Sequence, residues 1–372
     1  MGIICRLRAA PAYRLPNLQN WSECVMVQCS IKSGNIRLLG RMDLSQDPVC
    51  LDWTGSGFEV NFKGEELWVE LEAPVRKPDM WVCAAVDGHP ITRFPVQQGR
   101  NWYPLVLGMD AANTRRVTLM KETQAMPAAP EATVMLHGLR YEGELLPLPE
   151  PKLRIEFIGD SLTSGEGALA PKDNDEWISL WFTACGNYHH YACEALGAER
   201  RVLSQSGYGV SWDWEMKPEG NMSEGYRKIA GVMKGEAAEK RGCQKDYDFS
   251  SWQADVVCIR LLTNDIGAIV SKGKVEERRT ELTDNCAAFI RTIRECNPKA
   301  KIVWILPDSQ RLPRIAVDAV NRCMAEGIGE VSCLVLPDYT QADMGARQHP
   351  NAAYNQRIGL ILADYLRALT GC

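Results

Sequence analysis

The sequence has few histidines, no paired-cysteine motif and no long apolar run, and each of these shortages removes a class of protein. No apolar stretch reaches the roughly 18 residues that a membrane-spanning helix needs, so no span is expected. No basic block occurs: 42 Lys+Arg face 47 Asp+Glu, for a net charge of -5. That balance argues against nucleic acid or an anionic membrane surface as a partner. The 14 cysteines, scattered from Cys5 to Cys372, include no C-x-x-C pair, which excludes a zinc knuckle and a thioredoxin motif. There is no internal repeat and no low-complexity tract.

What is present is a globular chain. It has 372 residues, 45% of them hydrophobic and 24% charged, close to the average for folded proteins. That length suggests about two domains, and a core of that size needs no metal or disulfide staple. Many free thiols fit a reducing compartment, where cysteine serves as a small apolar core residue. Arg6, Arg8 and Arg14, with Pro11 and Pro16, break any signal-peptide core. Cytoplasm is therefore the expected location.

The chain changes rhythm once. Residues 1–35 read as an N-terminal extension. Over 36–146, short alternating runs such as "GFEVNFKG", "ELWVELEA" and "ATVMLHGLRYEG" are separated by Gly, Pro, Asn and Asp at intervals of about 8–12 residues. This predicts an all-β sandwich or jelly-roll-like domain. Residues 147–152 form a proline-rich linker. Over 153–372, apolar runs at 153–158, 201–203, 255–262, 301–306 and 333–336 alternate with amphipathic stretches near 178–196, 276–296, 312–327 and 352–369. Buried Val/Ile/Leu strands between helices predict an α/β unit, a three-layer sandwich with a parallel sheet.

Active sites in such sheets form beyond the carboxyl ends of the strands, so those segments are the ones to inspect. The first strand runs into Gly159-Asp160-Ser161, a hydroxyl at a strand-to-helix elbow. A lone serine there is most often a cap. The other strand ends change that. Gly207 follows the second strand, Asn264-Asp265 follows the third, and His349 opens the final helix. A nucleophile, two oxyanion donors and a base on four loops above one sheet make an acyl-transfer site.

These four blocks, Gly159-Asp160-Ser161, Gly207, Asn264 and His349, resemble the SGNH (GDSL) hydrolase family over about residues 153–372. The resemblance implies a flavodoxin-like fold, Ser161 as nucleophile and His349 as base. It also implies an oxyanion hole made by the Ser161 and Gly207 N–H groups and the Asn264 amide. The G-x-S-x-G elbow of α/β-hydrolases is not met, because Thr163 stands two residues past Ser161. Two positions depart from the family pattern. Leu262 replaces the usual glycine before Asn264, read here as a packing matter. Ala346 stands where a triad aspartate is usual, three residues before His349.

The two-domain layout, with Leu39-Gly40-Arg41, "GSGFEVNFKG" and "AVDG" in the first half, resembles carbohydrate esterase family 2. Some of its members use a Ser-His dyad whose histidine is held by a backbone carbonyl, consistent with Ala346. The resemblance implies a serine esterase, acetyl xylan esterase-like, acting on a small acetylated oligosaccharide with no cofactor and no metal. Asp160, Asp265 and Asp343 are candidate supporting residues, with Asp338 a further displaced partner for His349. Trp212 and Trp214 are candidate sugar platforms, while Trp177 and Trp181 read as core. His189-His190 point about 100° apart on a helix, which suits packing better than metal binding. The rival functions are a lipid or thioester acylhydrolase of the same fold, and a catalytically weak carbohydrate-binding protein. Oligomeric state is left open.

Overall fold

The structure, a computed structural model, describes residues 26–311 and 314–372. The expected extension 1–35 therefore lies largely outside the described residues. Its last part is strand β1 (Val27–Ser30), paired antiparallel with β9 (Val134–Leu146). The strand ladders of the described first half are antiparallel and add β2 (Ile36–Leu39), β3 (Val49–Leu51), β4 (Gly57–Ala73), β5 (Met80–Val86), β6 (His89–Val96), β7 (Gly99–Val106) and β8 (Arg115–Lys121). The 17-residue β4 organises them. Its first residues pair with β2 and β8, its second half pairs with β7, and β9 runs along it from Asn61 to Glu72. Gly64 lies between the halves; a Cβ there would meet the Glu142 carbonyl oxygen at 1.9 Å, so only glycine permits the crossing. Period-2 alternation buries Phe58, Val60, Phe62, Leu67, Val69 and Leu71 of β4 in one apolar core.

The segment read as a proline-rich linker is pinned at both ends. Asn61 and Arg37 donate to the Pro147 and Pro149 carbonyls, and the Lys152 N–H to Gly197.

The second half is a five-stranded parallel sheet. It comprises β10 (Arg154–Gly159), β11 (Glu199–Ser204), β12 (Val256–Arg260), β13 (Lys301–Pro307) and β14 (Val331–Leu336), in the order β11-β10-β12-β13-β14. Among the described residues seven α-helices accompany it: α1 (Ser161–Ser164), α2 (Tyr188–Leu196), α3 (Glu236–Lys240), α4 (Thr263–Ser271), α5 (Val275–Cys296), α6 (Ile315–Ala325) and α7 (Ala352–Thr370). Helices α2 and α7 cover one face, and α5 and α6 the other. In α7 the Asn351 side chain caps the helix by accepting from the Tyr354 N–H at 3.0 Å. Its stripe Tyr354, Ile358, Leu362 and Leu366 packs on Tyr188, Ala192 and Leu196 of α2. Burial of each such leucine contributes about 1.5–3 kcal/mol.

The amphipathic stretch near 178–196 becomes helix only from Tyr188. Residues 182–187 are drawn out instead by tertiary contacts: the Ala184 and Cys185 N–H groups donate to Glu122, and Asn187 donates to the Leu162 carbonyl. The chain leaves β10 in one direction to β11 and returns across it to β12. That reversal is the switch point where open α/β sheets carry their crevice.

Buried polar contacts lock the two halves together. Arg41 is enclosed by the rings of Tyr226, Tyr247 and Phe249 and donates to Glu156 at 2.8 and 3.1 Å. Lys121, wholly buried, donates to the carbonyls of Asp52, Thr123 and Gln124, and burial pushes its ammonium down to about 7. This fixes the residues after β8 within the first half, and from there the Gln124 side chain crosses to the second half, accepting from the Ser206 N–H beyond β11.

Candidate active site

The elbow after β10 is dictated by crowding. A Cβ on Gly159 would lie 2.0 Å from the Thr163 hydroxyl and 3.1 Å from the Arg260 carbonyl oxygen. Asp160 caps α1: its carboxylate accepts from the Leu162 N–H at 3.0 Å. Burial pushes that carboxyl up to about 6, although the amide donor and nearby Arg260 draw it down. The effect is to present Ser161 at the first position of α1, at the edge of the crevice.

Beyond β11, Gly207 takes a left-handed φ of +80°, and the Trp214 N–H donates to its carbonyl. Asp265 shapes this loop. Fully buried, it accepts from the N–H groups of Val210 and Ser211, each at 2.9 Å, and more weakly from Trp212. Burial pushes its carboxyl up to about 6 against those donors. Its two oxygens are thus committed to backbone amides.

Leu262, read from the sequence as a packing matter, proves to be a backbone matter. Its φ is +96°, a conformation that glycine adopts freely and leucine does not. The turn opens α4 with Asn264 in its first turn, where the amide nitrogen donates to the Tyr208 carbonyl at 2.8 Å.

His349 follows a 3-10 turn at Ala346–Gln348. Arg347 and Gln348 have φ of +53° and +59°, and the His349 N–H donates to the Ala346 carbonyl at 3.0 Å. Burial pushes the imidazole below its usual value, while Glu166 and the Arg347 and Ala346 carbonyls pull it back up. Nδ1 is buried with no hydrogen-bond partner among the described residues.

Two expectations for supporting residues are corrected by these contacts. Asp343 closes a capping box, accepting from the Thr340 N–H and hydroxyl at 2.9 Å, and from Arg357 at 3.0 Å. Asp338 accepts from the N–H and hydroxyl of Ser309. Each carboxylate is consumed by local structure and is not offered to the imidazole. Asp343→Ala and Asp338→Ala are therefore expected to lower kcat less than about tenfold, far short of the roughly 10⁴-fold cost of losing a triad aspartate. Steady-state kinetics on p-nitrophenyl acetate check this; a loss near the larger figure would make one of them a triad member.

Ser161, Gly207, Asn264 and His349 line one cavity of about 420 Å³. Trp214 stands beside them, 62% exposed. Trp212, expected as its companion, is instead buried and donates its indole N–H to the Asp265 carbonyl at 3.3 Å, because the loop turns it inward. Trp177, expected in the core, is 40% exposed and lines the cavity; it lies on the irregular segment before α2. Sequence reasoning also passed over Gln124, Gln205 and Arg347, which complete the wall, and weighed Glu166 for the site mouth without assigning it a role; it too lines the cavity. Gln124 comes from the antiparallel half and accepts from the Ser206 N–H at 2.8 Å. His189 and His190 lie away in α2; both are buried, and Arg200 lies 3.1 Å from the His190 ring.

A serine and a histidine facing Gly and Asn donors, above a parallel sheet with this strand order, define an SGNH hydrolase fold. The family model of the carbohydrate esterase 2 N-terminal domain matches residues 38–149. The structure is similar to an acetyl xylan esterase, Est2A, from the rumen bacterium Butyrivibrio proteoclasticus, at 31% identity and a TM-score of 0.88, covering 93% of this chain and 99% of that one. A family two carbohydrate esterase from Clostridium thermocellum, solved with cellohexaose, matches at 25% identity and a TM-score of 0.76, over 90% of this chain and 99% of that one. Cellulase/esterase CelE of Acetivibrio thermocellus is 30% identical over 241 residues, 61% of this chain and 26% of CelE. The chain thus spans about a quarter of the length of that curated relative. The chain belongs to the family two carbohydrate esterases.

Proposed function

We propose that this chain is a serine esterase that removes acetyl groups from carbohydrate through an acyl-enzyme. The observation that carries this reading is the convergence of Ser161, His349, Gly207 and Asn264 on one cavity flanked by the exposed indole of Trp214. His349, kept neutral by burial, takes the Ser161 proton as the hydroxyl oxygen attacks the ester carbonyl. The Ser161 and Gly207 N–H groups and the Asn264 amide hold the oxyanion. The imidazolium then gives its proton to the departing sugar hydroxyl. Water, activated by the same ring, releases acetate.

The substrate class follows from the lining. Gln124, Gln205, Asn264 and an Arg347–Glu166 pair offer hydrogen bonds to sugar hydroxyls, and Trp214 and Trp177 offer flat faces to pyranose rings. The relatives point the same way, one being an acetyl xylan esterase and another having been solved with cellohexaose. A second reading, hydrolysis of longer acyl esters, draws on an adjoining apolar cavity of about 480 Å³ that includes Pro78, Met126, Pro127 and Tyr208.

Acetate release from acetylated xylo-oligosaccharides, set beside a p-nitrophenyl ester series, separates the two. We expect kcat/KM to fall at least about tenfold from acetate to octanoate, and Trp214→Ala to raise KM about fivefold for the oligosaccharide and less for p-nitrophenyl acetate. A preference for octanoate would favour the second reading.

A further inference from the structure

We infer that Glu166, acting through Arg347, is the positioning acid of this site, in the place that Ala346 leaves without a carboxylate. The inference rests on the reading of Ser161 and His349 as nucleophile and base. Glu166 belongs to the nucleophile's own turn: its N–H donates to the Ser161 carbonyl at 3.1 Å, and Gly165 and Gly167 on either side take left-handed φ of +73° and +69°. Its side chain is buried, 4% exposed, and accepts from the Arg347 Nε at 2.8 Å. One carboxylate therefore ties the serine's elbow to the loop that carries the base.

That loop needs tying. Arg347 and Gln348 are consecutive non-glycine residues in the left-handed region immediately before His349. Such a backbone persists only where its surroundings over-determine it. Here they do. The Arg347 N–H donates to the Asn174 carbonyl at 3.0 Å, its Nη1 to Asp175 at 3.1 Å, and the Ala346 N–H to Gly167 at 2.9 Å. The Arg347 peptide, so held, adjoins the imidazole, and its backbone favours the protonated ring.

The pair also sets the charge around the ring. Of the groups facing His349, Ser161 on α1, Asn264 on α4 and Gln124 from the first sheet are neutral. Glu166 and Arg347 carry the charge, with Asp343 and Asp338 engaged elsewhere. Glu166 favours the imidazolium more than Arg347 opposes it. In a serine hydrolase the imidazolium forms in the transition state, so an ion pair whose carboxylate acts on the ring more strongly than its cation lowers the barrier.

The test uses Glu166→Gln, which keeps an acceptor for Arg347 but removes the charge, and Arg347→Gln, which removes the cation. His349 is titrated by NMR, where the chain's five histidines are assigned by subtraction with His349→Gln, and kcat/KM for p-nitrophenyl acetate is measured against pH. Without the Glu166 charge the imidazole should lose its proton more readily. Its titration and the acidic limb of kcat/KM should then move down by about one pH unit, with kcat falling about tenfold, the equilibrium equivalent of that move. Arg347→Gln should move the titration the opposite way, and Glu166→Asp should keep it near the parent value.

Titration midpoints that stay put in both variants overturn the inference, and so does a rate loss in Glu166→Gln with no movement of the limb, which marks a structural brace only. Should the parent chain hydrolyse no acetyl ester, the esterase reading fails, while the NMR arm still decides the role of Glu166.

Discussion

Ser161→Ala is expected to abolish acetate release while the melting temperature stays within a few degrees of the parent. The hydroxyl sits at a loop elbow whose shape is set by Gly159 and by the Asp160 cap, and neither is touched by losing one oxygen. Ser161 is buried at the crevice, and a change of a few degrees corresponds to about 1 kcal/mol in a chain of this size. The activity loss should be large, because removing the nucleophile of a serine protease costs on the order of 10⁶ in kcat. The same variant should no longer be labelled by a serine-reactive phosphonate, which the parent takes up. Turnover in Ser161→Ala within about a hundredfold of the parent would sink the mechanism, and a parent that resists the phosphonate would favour a carbohydrate-binding role.

Asn264→Ala should lower kcat by about 10²–10³, the usual cost of one oxyanion donor, with little change in KM. One amide hydrogen of Asn264 is committed to the Tyr208 carbonyl, which fixes the side chain and leaves the other for the developing oxyanion. Fixing matters, since a donor that needs no reorganisation as charge develops stabilises the transition state most. Asn264→Asp tests the sign of the interaction: it retains size, loses both donors and brings a negative charge beside the oxyanion, so its kcat should fall below that of the alanine variant. An unchanged kcat with a raised KM in Asn264→Ala would assign the amide to ground-state binding.

Where side chains obey a period, the sequence was a good guide. The strand runs predicted at 153–158 and 301–306 lie at Arg154–Gly159 and Lys301–Pro307, and the helix predicted at 352–369 lies at Ala352–Thr370. Buried parallel strands announce themselves as continuous apolar runs, and helices by their stripe. The approach to α2 was misread because its backbone is held by Glu122 and Leu162, partners from other elements that leave no periodic trace. Trp212 and Trp177 exchanged roles for the same reason: on irregular loops, spacing does not say which way a side chain faces.

The sequence by itself determined the two-part architecture and the order of Ser161, Gly207, Asn264 and His349, because short-range chemistry governs each. A glycine is required where a strand meets an elbow, and an apolar run is required where a strand is covered on both faces. Ala346 likewise declared, from the sequence alone, that the usual carboxylate is missing. What takes its place was decided by tertiary structure. Asp343 and Asp338 were both plausible by distance along the chain, yet Thr340, Arg357 and Ser309 claim them. Glu166 lies 181 residues from Arg347 and meets it at 2.8 Å, and Gln124 enters the site from the other sheet, held by the contacts of buried Lys121. Partners so far apart in the chain come together only when both halves have folded and packed, and no local pattern of residue types encodes that meeting.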